Sequence, residues 1–149
     1  MVTRREVLIV LLSSAVTWIG SVAARATGPV LSSSIYDWNA MQAESTNVGA
    51  RRTVFRSPTV TLDELECHIT TLNPGQASHA PHKHPEEEII IVKEGTVESL
   101  VNGTLQRVGP GSVIFQASNQ EHAIRNVGDA PATYHVFSWK SPGVKADTR

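Results

Sequence analysis

The feature of this sequence that most restricts its fold is a series of short strand patterns separated by turn residues. Apolar and β-branched runs of four to seven residues follow one another from Glu66 to Trp139. The turns between them are Asn73-Pro74-Gly75, Lys93-Glu94-Gly95, Asn102-Gly103, Gly109-Pro110-Gly111 and Val127-Gly128-Asp129. Strands at such regular spacing, without a long helical pattern, predict an all-β sandwich or barrel.

Two segments before this series and one within it have patterns that need a separate interpretation. Gly49 to Arg52 predicts a turn, and Thr53 to Arg56 predicts a short strand. Leu62 to Leu65 predicts either one helical turn, because its start matches a capping box, or a plain loop. The run Ile89 to Val92 is entirely apolar and β-branched, which predicts a strand buried on both faces.

The N-terminus has the order of an export signal. Arg4 and Arg5 precede a mostly apolar stretch, and Ala24-Arg25-Ala26 then offers small residues at the spacing of a cleavage site. The segment Thr3 to Leu8 resembles the twin-arginine signal, with Val7 where phenylalanine is usual. An ordinary secretory signal and an uncleaved membrane anchor are the alternatives.

These patterns divide the chain into four parts. Residues 1–26 are predicted to be an export signal, and residues 27–50 a linker with an N-terminal edge segment that contains Tyr36 and Trp38. Residues 51–140 are predicted to form the barrel, and residues 141–149 a polar tail. The expected location is periplasmic or extracellular, with no stable membrane association after the signal is cleaved.

Composition excludes several classes of function. A formal net charge of −1 and the lack of a basic stripe predict no nucleic-acid partner. The single cysteine, Cys67, cannot form an internal disulfide and excludes a cysteine-rich zinc or iron–sulfur site.

Four residues form the strongest chemical pattern. Alternation places His82 and His84 on one side of a strand, with Lys83 opposite. Glu88 follows at the entry to an apolar strand, where a buried carboxylate needs a partner such as a cation. His122 arrives from a later strand entry. The sequence therefore predicts His82, His84, Glu88 and His122 as the ligands of a divalent metal.

This donor set suits a transition ion rather than calcium: iron, manganese, nickel, copper, cobalt or zinc. Four protein ligands leave two positions of an octahedron open, which is typical of a catalytic site. Glu88 is also the candidate catalytic base, if it leaves the metal.

Other polar residues have two interpretations each. Glu87 is the alternative ligand if the strand register slips by one. Glu66 and His68 share one face of a strand, and we interpret that face as partly exposed rather than as part of the site. His79 is interpreted as a solvated loop residue rather than a gate, and His135 as a packing residue. Three arginines are interpreted as solvated, although each has the chemistry to receive a substrate carboxylate: Arg51, Arg52 and Arg56.

The spacing of the histidines resembles the first motif of the cupins. That motif is a glycine, a loop, H-x-H, three or four residues, Glu, six residues and Gly. Here Gly75 precedes His82 and His84, and six residues separate Glu88 from Gly95. The loop between the glycine and the first histidine is one residue longer than the common form.

The second cupin motif is also present with two departures. Gly111 begins it, and His122 and Asn126 end it at the expected spacing. Ala117 and Asn119 stand where proline and glycine are usual. Asparagine also tolerates a positive φ, so the departure affects the turn rather than the ligand.

The resemblance implies a jelly-roll barrel with a metal in its interior, and often a homodimer. It does not fix the activity, because cupins have many. One hypothesis is a metal-dependent oxygenase that acts on a small organic substrate, similar to the quercetin-dioxygenase-like cupins. The alternatives are a non-redox metalloenzyme, such as an isomerase, lyase or hydrolase, and a module that binds a small ligand without turnover.

Overall fold

The computed structural model describes residues 29–144, so residues 1–26 and the end of the predicted polar tail lie outside it. The described residues form β-strands and no helix: β1 Glu44–Thr46, β2 Gly49–Ser57, β3 Glu64–Leu72, β4 Glu87–Glu94, β5 Val97–Val101, β6 Thr104–Val108, β7 Val113–Gln116, β8 Ala123–Asn126 and β9 Ala132–Lys140. Within this part of the chain, nothing helical is long and apolar enough to cross a membrane.

The strands form two antiparallel sheets. The larger sheet has six strands in the order β1-β2-β3-β9-β4-β7, and the smaller has three in the order β6-β5-β8. Non-consecutive neighbours such as β3 and β9 pair over their full length, from Glu64 with Lys140 to Leu72 with Ala132. The predicted all-β jelly roll is confirmed.

The apolar core lies at one end of the space between the sheets. Strand alternation turns Ile90 and Val92 of β4 inward, together with Leu72 of β3 and Val97 of β5. Each of these side chains is at most 2% exposed. Full burial of an aliphatic side chain contributes about 1.5–3 kcal/mol, so these side chains stabilise the fold.

The prediction that Ile89 to Val92 is buried on both faces is wrong. Ile91 is 37% exposed, whereas Ile90 and Val92 on either side are buried. Val113 and Phe115 of the adjacent strand β7 are exposed on the same outer face. Among the described residues, nothing covers this part of the larger sheet.

The predicted turn at Gly49 to Arg52 is the start of strand β2. Gly49 opposes Leu72, and a Cβ on Gly49 would lie 2.0 Å from the carbonyl oxygen of Thr71. Glycine is therefore required here for close strand pairing rather than for a turn. The helical turn at Leu62 to Leu65 is also wrong, because strand β3 begins at Glu64 and the residues before it form a loop.

The N-terminal segment packs on the outer face of the larger sheet without forming a strand. The Trp38 ring lies 6.3 Å from the His135 ring, centroid to centroid. The Lys93 Nζ is 3.4 Å from the same indole, and the Arg52 guanidinium carbon is 4.6 Å from it. His135 therefore packs against Trp38. Arg52 makes a cation–π contact with the same ring, on the side of the sheet away from the barrel interior.

Candidate metal centre

His82 and His122 are brought together by the backbone. The His82 N–H donates to the His122 carbonyl at 3.1 Å, and the His122 N–H donates to the His82 carbonyl at 2.9 Å. These two hydrogen bonds join the loop before β4 to the loop before β8. Asn119, in the turn before His122, has a φ of 58°. Asparagine thus adopts the positive φ that the departure from the usual glycine required.

The three histidines form one cluster. The ligand atoms of His82, His84 and His122 all lie within 4.8 Å of one another. The His84 Nδ1 donates to the Glu86 carbonyl at 3.1 Å, and the His122 Nδ1 donates to the Gln120 carbonyl at 2.8 Å. Because a carbonyl can only accept, each Nδ1 carries the proton and each Nε2 keeps its lone pair. That tautomer leaves the Nε2 of His84 and of His122 able to bind a metal.

Two ring nitrogens of the cluster are buried and have no hydrogen-bond partner among the described residues. They are the Nδ1 of His82 and the Nε2 of His122. A buried polar atom without a partner costs about 1–3 kcal/mol, so such atoms need an explanation. A cation between the rings would explain both atoms, because it would accept the lone pair of each nitrogen.

Glu88, in strand β4, lies beside this histidine cluster. Its Oε2 lies 3.9 Å from the His84 Nε2, and its side chain is 15% exposed. Two acceptor atoms that face each other in a buried site need a proton or a cation between them. The residues therefore fit the predicted divalent ion, with Glu88 beside the histidine cluster rather than at its centre.

Burial shifts the ionisation of these groups in opposite directions. Burial, followed by the charge of Glu66, raises the pKa of Glu88 to about 7. Burial, followed by repulsion from His79, His122 and His84, lowers the pKa of His82 to about 4. Without a cation, burial therefore favours uncharged rings at His82 and His122 and a protonated carboxyl at Glu88. A divalent ion would displace that proton and favour the carboxylate.

The centre opens into a cavity of about 290 Å³ between the two sheets. Glu88 and His122 lie in its wall. Polar residues from other strands and from the loop before β4 also line it, among them Arg51, His68, Thr70, Ser78, His79, Gln116 and Tyr134. This volume suits a small organic ligand in contact with the metal.

The interpretation of Glu66 and His68 as a partly exposed face is wrong. Both residues point into the barrel, where Glu66 is 9% exposed and His68 lines the cavity. Alternation failed to show this because Cys67 and Ile69, on the opposite face of β3, are buried too. Arg51, which the sequence analysis interpreted as solvated, also lines the cavity, although its side chain is 43% exposed. Its Nη2 donates to the Glu66 Oε1 at 2.6 Å.

The remaining candidates lie around the centre. The Glu87 Oε2 accepts a hydrogen bond from the Trp139 Nε1 at 2.9 Å, on the face of β4 opposite to Glu88. His79 is exposed, but its ring lies 4.0 Å from that of His82, centroid to centroid, so it contacts the centre at the cavity mouth. Arg56 is largely exposed and pairs with Glu64 at 2.9 Å.

The last residue of the second motif has a structural role. Asn126 is fully buried. Its Nδ2 donates to the carbonyls of Leu72 and Ala130, each at 2.9 Å, and its Oδ1 accepts from the Gly128 N–H at 2.9 Å. These bonds tie β8 to the end of β3 and to the turn before β9.

Comparison with known proteins shows similarity to one family over the strands that form the barrel. Residues 68–138 match the sequence profile of a family described as the cupin domain. An L-ectoine synthase of Halomonas elongata is 31% identical over 78 residues, which are 52% of this chain and 54% of the relative. The chain therefore spans about half the length of this curated relative.

Two solved structures share the fold at low sequence identity. An RmlC-like cupin from Shewanella frigidimarina superposes with a TM-score of 0.61 at 15% identity, over 75% of this chain and 95% of that one. The polyketide cyclase RemF from Streptomyces resistomycificus superposes with a TM-score of 0.60 at 19% identity, over 79% of this chain and 87% of that one. At such identities the likeness shows the fold alone.

Proposed function

We infer that this chain, which belongs to the cupin superfamily, is a divalent-metal enzyme that acts on a small organic substrate. The proposed ligands are His82, His84, His122 and Glu88. The observation that supports this most directly is the cluster of imidazole nitrogens, two of them buried without a hydrogen-bond partner among the described residues, beside a buried carboxylate. The cavity next to them has room for the substrate.

The proposed reaction is that of an oxygenase. When bound, iron, manganese, nickel or copper would supply Lewis acidity and redox chemistry with dioxygen. The protein would hold a chelating enol or dihydroxy compound in the cavity and exclude bulk water from it. Glu88, with a pKa raised to about 7 by burial, is the candidate base if it is not bound to the metal.

Elemental analysis of protein isolated from its native compartment tests the metal assignment. We expect about one transition ion per chain in the wild type and a large loss in His122→Ala, which removes a nitrogen from the centre. His135→Ala is the matched control, because that imidazole lies on the outer face against Trp38. Full occupancy in His122→Ala would show that the ligand set is wrong.

A non-redox metalloenzyme, such as an isomerase, lyase or hydrolase, is the second candidate. The similarity to a protein named as a synthase supports it. Oxygen uptake by iron-, manganese-, nickel- or copper-loaded protein with flavonols and catechols would support the oxygenase. Turnover by zinc-loaded protein without oxygen, followed by mass spectrometry, would support the second candidate. Retention of a ligand with neither activity would instead indicate a binding module.

We also propose that the protein is exported to the periplasm or beyond. The support is the order of arginines, apolar residues and small residues within positions 1–26. Cell fractionation followed by N-terminal sequencing is the test, and we expect the mature chain to begin at Thr27. Replacement of Arg4 and Arg5 by lysine should block export if the twin-arginine route is used. Full-length chain in the cytoplasmic fraction would contradict the proposal.

A further inference from the structure

Outside the proposed metal ligands, a second cluster of ionisable side chains lies in the barrel interior that the structure describes. The Glu66 Oε1 accepts hydrogen bonds from the His68 Nδ1 at 2.9 Å and from the Arg51 Nη2 at 2.6 Å. The side chains of Glu66 and His68 are only 12% and 17% exposed. Arg56 approaches the other oxygen of Glu66, with its Nη1 at 3.6 Å. The carboxylate is therefore held between two cations and an imidazole.

These contacts fix the orientation and the tautomer of His68. A carboxylate can only accept, so the His68 Nδ1 carries a proton and donates it to Glu66. In the neutral ring, Nε2 then keeps its lone pair. Burial, followed by the charge of Arg51, lowers the pKa of His68, which favours the neutral ring. Because His68 lines the cavity, Nε2 is the nitrogen left for a ligand.

The cluster and the metal centre share the cavity but lie on different strands. His68 enters from β3 and Arg51 from β2, whereas Glu88 enters from β4 and His122 from the loop before β8. Tyr134 of β9 also lines this space. A small ligand held at the metal can therefore contact His68 as well.

We propose that Glu66 and His68 form an acid–base dyad, in which the His68 Nε2 removes a proton from a hydroxyl group of a metal-chelating enol or catechol-like substrate. This inference rests on the proposed metal-dependent function. The O–H bond of the substrate breaks, its electron pair stays on the oxygen, and a new N–H bond forms at Nε2. The resulting imidazolium is stabilised by the Glu66 carboxylate, and it returns the proton to product or water.

The charged and titratable neighbours of His68 are compatible with this transfer. Arg51 of β2 favours a substrate anion, and Glu66 on the same strand favours the imidazolium. His79, in the loop before the metal ligands, and Arg51 both oppose a charge on His68 before the proton arrives. Glu88 of β4 faces the same cavity and is proposed to be bound to the metal. His68 is the catalytic residue in this scheme, whereas Glu66 is a positioning residue.

Zinc-loaded protein and 4-nitrocatechol provide a test that does not depend on turnover. Zinc is redox-inert, and the visible spectrum of the probe distinguishes its monoanion from its dianion. We expect His68→Gln to bind zinc like the wild type but to show a ratio of bound dianion to monoanion about tenfold lower at the same pH. His135→Gln is the matched control, because it removes an outer-face imidazole, and its ratio should equal that of the wild type.

Glu66→Gln tests the positioning role, because the amide oxygen still accepts from Nδ1 but carries no charge. We expect a dianion ratio between those of the wild type and His68→Gln. In ¹⁵N spectra of the histidine rings, we expect the His68 imidazolium to lose its proton at a lower pH. A purely structural role for Glu66 would leave both readouts unchanged in folded protein.

The outcomes separate this proposal from the one on which it rests. An unchanged dianion ratio in His68→Gln would overturn the dyad while the metal function stands. Loss of zinc from His68→Gln alone would show that His68 is a ligand instead of a base. Failure of zinc-loaded wild type to bind the probe would reject the chelating hydroxyl as substrate class. Failure of the wild type to bind zinc, seen by elemental analysis before the probe is added, would reject the metal function itself.

Discussion

The two ends of the barrel interior are built from the same strands but have opposite chemistry. Strand β3 contributes Leu72 to the apolar end and Glu66 to the polar end, and β4 contributes Val92 and Glu88 in the same way. The apolar end contains fully buried hydrocarbon. The polar end contains ring nitrogens that no described residue hydrogen-bonds and a carboxyl whose pKa is raised to about 7. One end therefore stabilises the fold, whereas the other contains polar atoms that the proposed cation would satisfy.

The largest expected effect is at the apolar end. Leu72 is fully buried, so Leu72→Ala should lower the free energy of unfolding by about 2–5 kcal/mol through lost burial and a residual cavity. Denaturant titration would measure the loss. The number of zinc ions bound per folded chain should not change. A variant that kept its stability but lost zinc would show that the two ends are not separable.

The next effect is a pH dependence at the polar end of metal-free protein. The folded pKa of Glu88, about 7, lies above its ordinary value of 4.5, so the folded state binds more protons between these values. Its contribution to the free energy of unfolding is therefore complete below about pH 4.5 and is lost as pH rises through 7. Glu88→Gln should match the wild type near pH 4 and exceed it by up to about 3 kcal/mol at pH 8.

The difference between the two proteins is the quantity to measure. The pKa of His82 is lowered from 6.5 to about 4, so this residue removes stability as pH falls through the same range and opposes Glu88. Both proteins contain His82, and subtraction of their denaturant curves leaves the Glu88 contribution. A difference that does not vary with pH would show that Glu88 is not buried in the folded state as described.

Metal binding should offset the free-energy penalty of the buried nitrogens at the polar end of the barrel. Zinc at about 100 times its dissociation constant should raise the unfolding free energy by about 2.7 kcal/mol if the unfolded chain does not bind it. His122→Ala should lose most of this gain, because one buried lone pair is missing. Thermal unfolding with and without zinc would measure it. An equal gain in His122→Ala would place the zinc elsewhere.

The sequence predicted the strand series and the shared orientation of His82 and His84 because both depend on local signals. Turn residues such as Asn102-Gly103 mark hairpins, and Asn102 has the positive φ, 51°, that this signal requires. The spacing of His82 and His84 places both rings on one side of the chain. These features need no knowledge of what covers each sheet face.

Local signals could not predict which face of β3 points into the barrel, or that β4 is buried on one face only. Both faces of β3 are buried, because Cys67 and Ile69 are 3% and 2% exposed on the outer side. The Trp38 segment packs on that side against His135, which opposes Ile69. On the outer face of β4 the Trp38 ring contacts Lys93, whereas Ile91 remains 37% exposed. Which outer face is covered depends on a segment that has no strand pattern of its own.

The smallest effect concerns two adjacent carboxylates on opposite faces of β4. Glu87 accepts one hydrogen bond from Trp139 outside the barrel, whereas Glu88 faces the histidines. Glu87→Gln keeps an acceptor oxygen for the indole, so it should change the unfolding free energy by less than about 1 kcal/mol and leave zinc content unchanged. Glu88→Gln, measured in parallel by elemental analysis, should reduce zinc content. If zinc were lost from Glu87→Gln and kept in Glu88→Gln, β4 would be in the register slipped by one residue, and the polar end of the barrel would have to be rebuilt around Glu87.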